Sequence, residues 1–150
     1  MTVDELIATE EIRQLKARYF RFLDNKQWND LQNVWTDDAI LDMTEGRGSE
    51  TPTDQVRFHV GREAIVAFIR SIIGDVQTVH QGHQFEVSFV SPEVARGQWA
   101  MTDILRWPTG APVRELHGWG YYHDTYERIS DTWLIKSSKL TRLRVDISPP

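Results

Sequence analysis

The chain has 150 residues and a formal net charge of −5, from 22 acidic and 17 basic side chains. This balance argues against nucleic acid as a partner, because phosphate binding needs a basic surface. The sequence has no cysteine, which excludes disulfides and thiolate metal sites. It also has no apolar stretch of membrane-spanning length and no secretory signal pattern at its N-terminus. We therefore expect residues 1–150 to form a single cytoplasmic domain that buries its own core and has no membrane partner.

The first half of the chain has the sequence features of helices. Thr2 and Glu5 fit a capping box, in which the two side chains bind unpaired amides at the start of a helix. Apolar residues then recur at steps of three and four, which traces one helical face. In chain order, the predicted elements are a helix to about Asp24, a short helix around Leu31, a strand over 39–44, a loop over 45–54 and a helix from near Gly61 to Gly74.

From Val76 onward the hydrophobic pattern changes to a period of two, with aromatic and β-branched residues that favour strands. Short turns separate long strands, which predicts an antiparallel meander. The predicted strands are 76–90, 94–107, 113–129 and 132–146. Helices followed by a sheet indicate an α+β fold. We expect a cone-shaped α+β barrel, in which a strongly curved antiparallel sheet wraps the N-terminal helices and leaves a cavity at its open end.

The second of these four strands places a carboxylate among bulky apolar side chains. Alternation puts Asp103 on the same, buried face as Trp99, Met101, Leu105 and Trp107. An ionised carboxylate is costly there unless it is paired or hydrogen-bonded. Asp103 is therefore a candidate functional residue. The alternative is a core aspartate that binds backbone amides or a tyrosine hydroxyl.

The preceding strand contains two histidines, His80 and His83, on either side of Gly82. Strict alternation from Phe85 onward points His83 inward and His80 outward. A glycine inside a strand often marks a bulge that shifts the alternation by one residue. Such a bulge would point His80 inward and His83 outward. Periodicity alone leaves both arrangements open. It does not favour a zinc pair, because residues three apart on a regular strand point to opposite faces.

Two residues of the first helix are weaker candidates. Tyr19 lies on the apolar face, so its hydroxyl needs a partner, although a core tyrosine is the ordinary explanation. Asp24 follows five residues later at the end of the helix, where a carboxylate is unfavourable for the helix dipole. This position hints at another role, although aspartate is also common in turns.

The last two strands give less decisive signals. In the strand over 113–129, one face carries Trp119 and the other carries Tyr122, and periodicity does not decide which face is inward. The last strand carries Arg142 and Arg144 at alternate positions. We interpret these arginines, with the nearby lysines, as a solvated strand face.

Taken together, these segments resemble the SnoaL-like branch of the nuclear-transport-factor-like superfamily. The matching stretches are 12–28, 34–39, 61–69, 78–80, 95–99 and 122–136. The resemblance covers nearly the whole chain and implies the cone-shaped fold. It says less about the reaction, because this superfamily contains dehydratases, isomerases, cyclases and proteins without known chemistry.

The spacing of the candidate residues resembles that of three enzyme families within this superfamily. Bile-acid 7α-dehydratases have the spacing of Tyr19 and Asp24 and that of His80 and Asp103. Scytalone dehydratases share the helical tyrosine and the first strand histidine, but have histidine where this chain has Asp103. Hexachlorocyclohexane dehydrochlorinases match Asp24 and His80. The resemblance therefore favours His80 on the inner face, and with it a bulge near Gly82.

This resemblance implies a cofactor-independent lyase of the dehydratase type, without a metal, that acts on a small hydrophobic cyclic substrate. His80 would be the base, Asp24 would orient it, Tyr19 would donate to a carbonyl oxygen, and Asp103 would hold the leaving group or act as the acid. The residues expected to contact the substrate are Trp35, Phe68, Trp99, Met101 and Trp119. The alternatives are an isomerase or polyketide-cyclase-type enzyme and a non-catalytic binding module. The resemblance also implies a homo-oligomer, either a dimer or a trimer.

Overall fold

The computed structural model describes residues 1–46 and 57–150, so most of the predicted loop over 45–54 lies outside the described residues. The elements are α1 (Val3–Asp24), α2 (Trp28–Gln32), β1 (Trp35–Asp42), β2 (Phe58–Val60), α3 (Arg62–Ile73), β3 (Gln77–Ser91), β4 (Val94–Arg106), β5 (Glu115–Ile129) and β6 (Thr132–Ser148). Within the described ranges, no helix is both long and apolar enough to span a bilayer.

Helix α1 begins as its sequence predicts. The Thr2 hydroxyl accepts a hydrogen bond from the Glu5 amide, and the Thr2 amide donates to the Glu5 carboxylate at 2.7 Å. These two bonds satisfy amides that have no partner within the helix. The apolar face of α1, which includes Ile12, Leu15 and Tyr19, is buried in the core. The helix thus packs along the sheet and brings Asp24, at its C-terminal end, to strand β3.

The six strands form one curved, unclosed sheet in the order β2-β1-β6-β5-β4-β3. Strands β3 to β6 are the predicted antiparallel meander. Strand β1 extends this meander by pairing with β6 in parallel, and the three-residue strand β2, which sequence periodicity did not predict, pairs with β1. The helices pack against the concave side of the sheet, and the result is the predicted α+β cone.

Two interruptions of regular strand pairing decide which side chains enter the cone. In β3, Gly82 pairs with Met101 but Phe85 pairs with Trp99, so β3 has one residue more than β4 between these pairs. In β6, the partners of Trp119 and Gly120 are Arg144 and Arg142, so Leu143 is the extra residue. A bulge of this kind reverses the alternation of side chains on the bulged strand.

Candidate active site

A cavity of about 490 Å³ opens between the helices and the concave face of the sheet. Its apolar part is lined by residues from α3, β4, β5 and β6 and from the turn between β4 and β5. Among them are Phe68, Ile69, Ile72, Leu105, Trp107, Val113, Leu116 and Ile147. The cavity is also lined by seven polar residues: Tyr19, Arg57, Ser71, His80, Asp103, Tyr122 and Arg142. The cavity therefore suits a mostly apolar ligand with a small number of polar contacts.

The bulge in β3 turns His80 into this cavity. His80 lies on the inner face with 8 % of its side chain exposed, whereas His83 is exposed and contacts Thr102 at 2.8 Å. The bulge expected near Gly82 is thereby confirmed. The glycine also has a packing role, because a Cβ at position 82 would lie 2.8 Å from the Phe20 ring, which stacks parallel to His80.

Asp24 holds the imidazole of His80 in one orientation. Its carboxylate accepts hydrogen bonds from the His80 amide at 2.9 Å and from the Thr78 hydroxyl at 2.9 Å, and His80 Nδ1 lies 2.7 Å from Asp24 Oδ1. A carboxylate accepts only, so Nδ1 is the nitrogen that donates to Asp24, and Nε2 is the nitrogen left for a ligand. It lies 4.0 Å from Asp103 Oδ2, on the cavity wall.

Asp103 is buried as alternation predicts, but its partner is one that the sequence did not reveal. Arg142 binds the carboxylate with two hydrogen bonds, of 2.6 and 2.9 Å, and donates a third to the Gly46 carbonyl. Burial by itself would lower the pKa of Arg142, but the hydrogen bonds and charge of Asp103 outweigh this effect and raise it. Arg142 is therefore a guanidinium that binds both oxygens of the Asp103 carboxyl group.

The interpretation of Arg142 as part of a solvated face was wrong, and the reason is the bulge at Leu143. On a regular strand Arg142 and Arg144 would point to the same side. The extra residue separates them, so Arg142 turns inward to Asp103 while Arg144 stays outside and binds Asp146. The predicted burial of the Asp103 carboxylate, two strands away in the sheet, was the available signal that a cation was needed inside.

Strand β5 leaves room for this ion pair by having glycine at position 118. A Cβ there would lie well inside contact distance of both Arg142 Nη1 and Asp103 Oδ1. Gly118 pairs with Asp103 on one side and with Val145 on the other, so it lies between the strands that carry the two charges. The glycine lets the salt bridge cross the inner surface of β5.

We expect Gly118→Ala to disrupt the salt bridge rather than the strand. Because the added methyl group must displace at least one of the two charged groups, the free energy of unfolding should fall by about 1–3 kcal/mol. Urea denaturation measures this change. A Gly118→Ala protein as stable as the wild type would show that the pair does not need this space.

Tyr19 and Tyr122 complete the polar wall from opposite elements, α1 and β5. Both rings are buried, and their centroids are 6.4 Å apart in an edge-on arrangement. Burial raises the pKa of both phenols above the ordinary value of 10.0, and nearby aspartates, Asp103 among them, raise it further. Both side chains are therefore neutral hydrogen-bond donors at physiological pH.

This ionisation behaviour gives a testable pH dependence. Tyr19, Tyr122 and Tyr126 all have raised pKa values, so the native protein keeps protons that the unfolded chain releases near pH 10. Their contribution to stability is full below pH 10 and should be lost as the pH rises further. In an absorbance titration we expect these three of the four tyrosines to ionise only with alkaline unfolding. Reversible ionisation of more than one tyrosine in the folded protein would contradict this.

Comparison with known proteins shows the family to which the chain belongs. Residues 4–139 match the family model of the SnoaL-like domain. The chain belongs to the SnoaL-like family. A cyclase-like protein of Gibberella zeae is 26% identical over 137 residues, which are 88% of this chain and 89% of that protein.

Two solved structures have the same fold as this SnoaL-like domain. A scytalone dehydratase-like protein of Novosphingobium aromaticivorans superposes with a TM-score of 0.81 at 19% identity, covering 99% of this chain and 97% of that one. A hexachlorocyclohexane dehydrochlorinase of Novosphingobium barchaimii superposes with a TM-score of 0.78 at 17% identity, covering 97% and 92%. At these identities the likeness establishes the fold of the nuclear-transport-factor-like superfamily.

The SnoaL-like domain keeps only part of the expected substrate-contacting set at its cavity. Phe68 lines the cavity. Trp119 does not, because β5 turns it to the outer face of the sheet, where it stacks on His117 at 4.0 Å. Trp35 is fully buried in the core behind Tyr19, at 5.8 Å between ring centroids. Trp119 and Trp35 thus lie away from the lining of this cavity.

Trp99 and Met101 lie on the expected inner face of the sheet, but both are buried outside the lining of this cavity. Trp99 stacks on Phe85 at 4.1 Å and donates to the Tyr126 hydroxyl. Met101 is buried beneath the salt bridge, with its sulfur 3.8 Å from Arg142 Nη1. Alternation correctly predicted the side of the sheet on which these two side chains lie. It does not predict which residues on that side border the cavity.

Proposed function

We propose that this SnoaL-like domain is a cofactor-independent lyase, of the dehydratase type, that acts on a small hydrophobic cyclic substrate with a hydroxyl group β to a carbonyl. The observation that carries the proposal is the Asp24–His80 contact of 2.7 Å at the wall of a largely apolar cavity. An imidazole with its Nδ1 proton held by a carboxylate presents Nε2 as a base that works near neutral pH.

In this proposal the elimination uses His80 twice. Nε2 removes the proton from the carbon next to the carbonyl, and the electron pair of that C–H bond moves toward the carbonyl to give an enolate. Collapse of the enolate forms the C=C bond and breaks the C–O bond of the leaving hydroxyl. The imidazolium, stabilised by Asp24, returns its proton to that oxygen, so water leaves and the base is regenerated.

The other polar side chains stabilise charge in this scheme. Tyr19 donates to the carbonyl oxygen, which becomes negative in the enolate. Asp103 lies 4.0 Å from His80 Nε2 and accepts a hydrogen bond from the leaving hydroxyl or the departing water. Both oxygens of Asp103 accept hydrogen bonds from Arg142, so Asp103 acts here as an acceptor and the proton that the leaving group needs comes from His80.

A bicyclic β-hydroxy ketone such as 3-hydroxyindanone tests the proposal directly. We expect loss of one water by mass spectrometry and appearance of the conjugated enone by absorbance. The cyclase-like relative favours the alternative of an isomerase or cyclase. An isomerase would give a product of unchanged mass, and a cyclase would give a product with a new ring. A binding module would bind ketones without exchanging their α-protons for solvent deuterium. Absence of both exchange and water loss across a panel of cyclic ketones would contradict the enzyme proposal.

We also propose that the protein self-associates, as a dimer or trimer, through the outer face of the sheet. This face carries the Trp119–His117 stack, Val79 and the bulged Leu143, which is 72% exposed. Burial of such apolar groups is a common reason for association. We expect sedimentation equilibrium to detect an oligomer that Leu143→Glu dissociates, and a monomeric wild type would refute this.

The cytoplasm is the proposed compartment, since the cysteine-free sequence has no disulfide framework of the secreted kind.

A further inference from the structure

Tyr122 is a buried phenol whose hydroxyl has no protein partner in residues 1–46 and 57–150. Its ring is 3% exposed, and the residue lines the cavity beside Asp103 and Arg142. Buried tyrosine hydroxyls usually have a hydrogen-bond partner. Tyr126, four residues later on the same face of β5, follows this rule by donating to Asp124 at 2.7 Å. The Tyr122 hydroxyl has no such protein partner among the described residues and borders the cavity, so it is available to donate to a ligand there.

The hydroxyl of Tyr19 is in the same situation. It too lines the cavity, and within the described residues it has no hydrogen-bond partner. The two rings meet edge to face with centroids 6.4 Å apart, so the phenols come from different elements to one region of the wall. Both remain protonated at physiological pH for the reasons given above, so each has a proton to donate.

A buried ion pair lies against both rings: burial lowers the pKa of Lys16, and the charge and hydrogen bond of Asp124 oppose this effect. Lys16 Nζ is 3.9 Å from the ring centroid of Tyr122 and 4.8 Å from that of Tyr19. It is fixed there by a 2.7 Å ion pair with Asp124, and both partners are almost completely buried. A cation over the face of a phenol withdraws electron density from the ring. The O–H group then becomes a stronger donor to a negatively charged acceptor.

We propose that Tyr122 is a second donor that acts with Tyr19 to bind one oxyanion, so that the cavity selects flat apolar molecules bearing a phenolate or an enolate oxygen. Preorganised donors in a site shielded from water stabilise such an oxygen far more than donors in solution. Binding of a phenolate needs only the two phenols. The role of Tyr122 toward an enolate during turnover rests on the proposed function.

The probe pair 4-nitrophenolate and nitrobenzene separates oxyanion binding from apolar burial, because the two molecules differ only in the charged oxygen. Binding is measured by absorbance or calorimetry at a pH where free 4-nitrophenol is ionised. We expect wild-type protein to bind the phenolate more tightly than nitrobenzene. Tyr122→Phe and Tyr19→Phe should each weaken phenolate binding by about tenfold and leave nitrobenzene binding unchanged. Tyr121→Phe removes a hydroxyl from the outer face of the same strand and should leave both unchanged.

Two results would overturn the proposal. One is a wild-type protein that does not prefer the phenolate over nitrobenzene, and the other is a Tyr122→Phe protein that binds both probes as the wild type does. Far-UV and near-UV circular dichroism of each variant identifies loss of folding as a separate cause. The assay is independent of turnover: His80→Ala should still bind the phenolate. If the expected binding pattern appears in a protein without lyase activity, the proposed function fails and the oxyanion site stands.

Discussion

Replacement of His80 by alanine should lower the rate of α-proton exchange from a cyclic ketone by about 10²- to 10⁴-fold, the usual contribution of a general base. The imidazole has one nitrogen held by the Asp24 carboxylate and a second nitrogen on the described cavity wall. Exchange into deuterated buffer, followed by proton NMR, measures this step without requiring a leaving group. Elimination from a β-hydroxy ketone should fall by a similar factor.

His83→Ala is the matched control, because it removes the same side chain from the same strand on the other side of the bulge. His83 is exposed and contacts only Thr102 among the hydrogen-bond partners in the described residues. We expect this variant to exchange and eliminate at the wild-type rate. Inactivation by His83→Ala with activity retained in His80→Ala would mean that the phase of β3 is the opposite of the one described.

Loss of Arg142 should be the most destabilising change at the site. Arg142→Met leaves the carboxylate of Asp103, which is 3% exposed, without its partner. Removal of one member of a buried ion pair costs about 3–5 kcal/mol. Urea denaturation should show this loss. Activity should fall as well, because the carboxylate is then no longer held in place beside His80.

A double variant separates these two effects. Asp103→Leu combined with Arg142→Met removes both charges, and such replacements of buried ion pairs often restore stability. We expect the double variant to regain most of the lost stability while staying inactive. Arg144→Met, on the exposed side of β6, should change stability by no more than about 0.5 kcal/mol. An Arg142→Met protein as stable as Arg144→Met would contradict the buried pairing.

Patterns that repeat along the chain predicted most of the fold. The apolar face of α1 and the four-stranded meander were readable because each depends on a regular period. The burial of Asp103 followed from the same alternation. Strand β2 was missed because three residues are too few to establish a period, and the parallel pairing of β1 with β6 involves segments about a hundred residues apart.

The candidate site was harder to predict because it depends on interruptions of those periods. Alternation gave the wrong face for Arg142, since nothing local in the sequence marks Leu143 as an extra residue. For His80 the glycine at position 82 suggested a bulge, but only the family resemblance chose between the two histidines. The sequence did not show whether Tyr122 faces inward, because both faces of β5 carry aromatic side chains. Only the pairing of whole strands determines which face lies on the concave side of the sheet.

The two bulges, in β3 and β6, allow the side chains of the cavity to change while the packing of the rest of the sheet is kept. Each divides a strand into two segments, and the inward-facing positions of the two segments are set independently. Deletion of one residue between Gly82 and Phe85 would leave the Phe85–Trp99 stack in place while exchanging the inward and outward side chains before it. Changes of a single residue in length at these two points are thus a short evolutionary route by which one scaffold gains, loses or replaces a base or a cation.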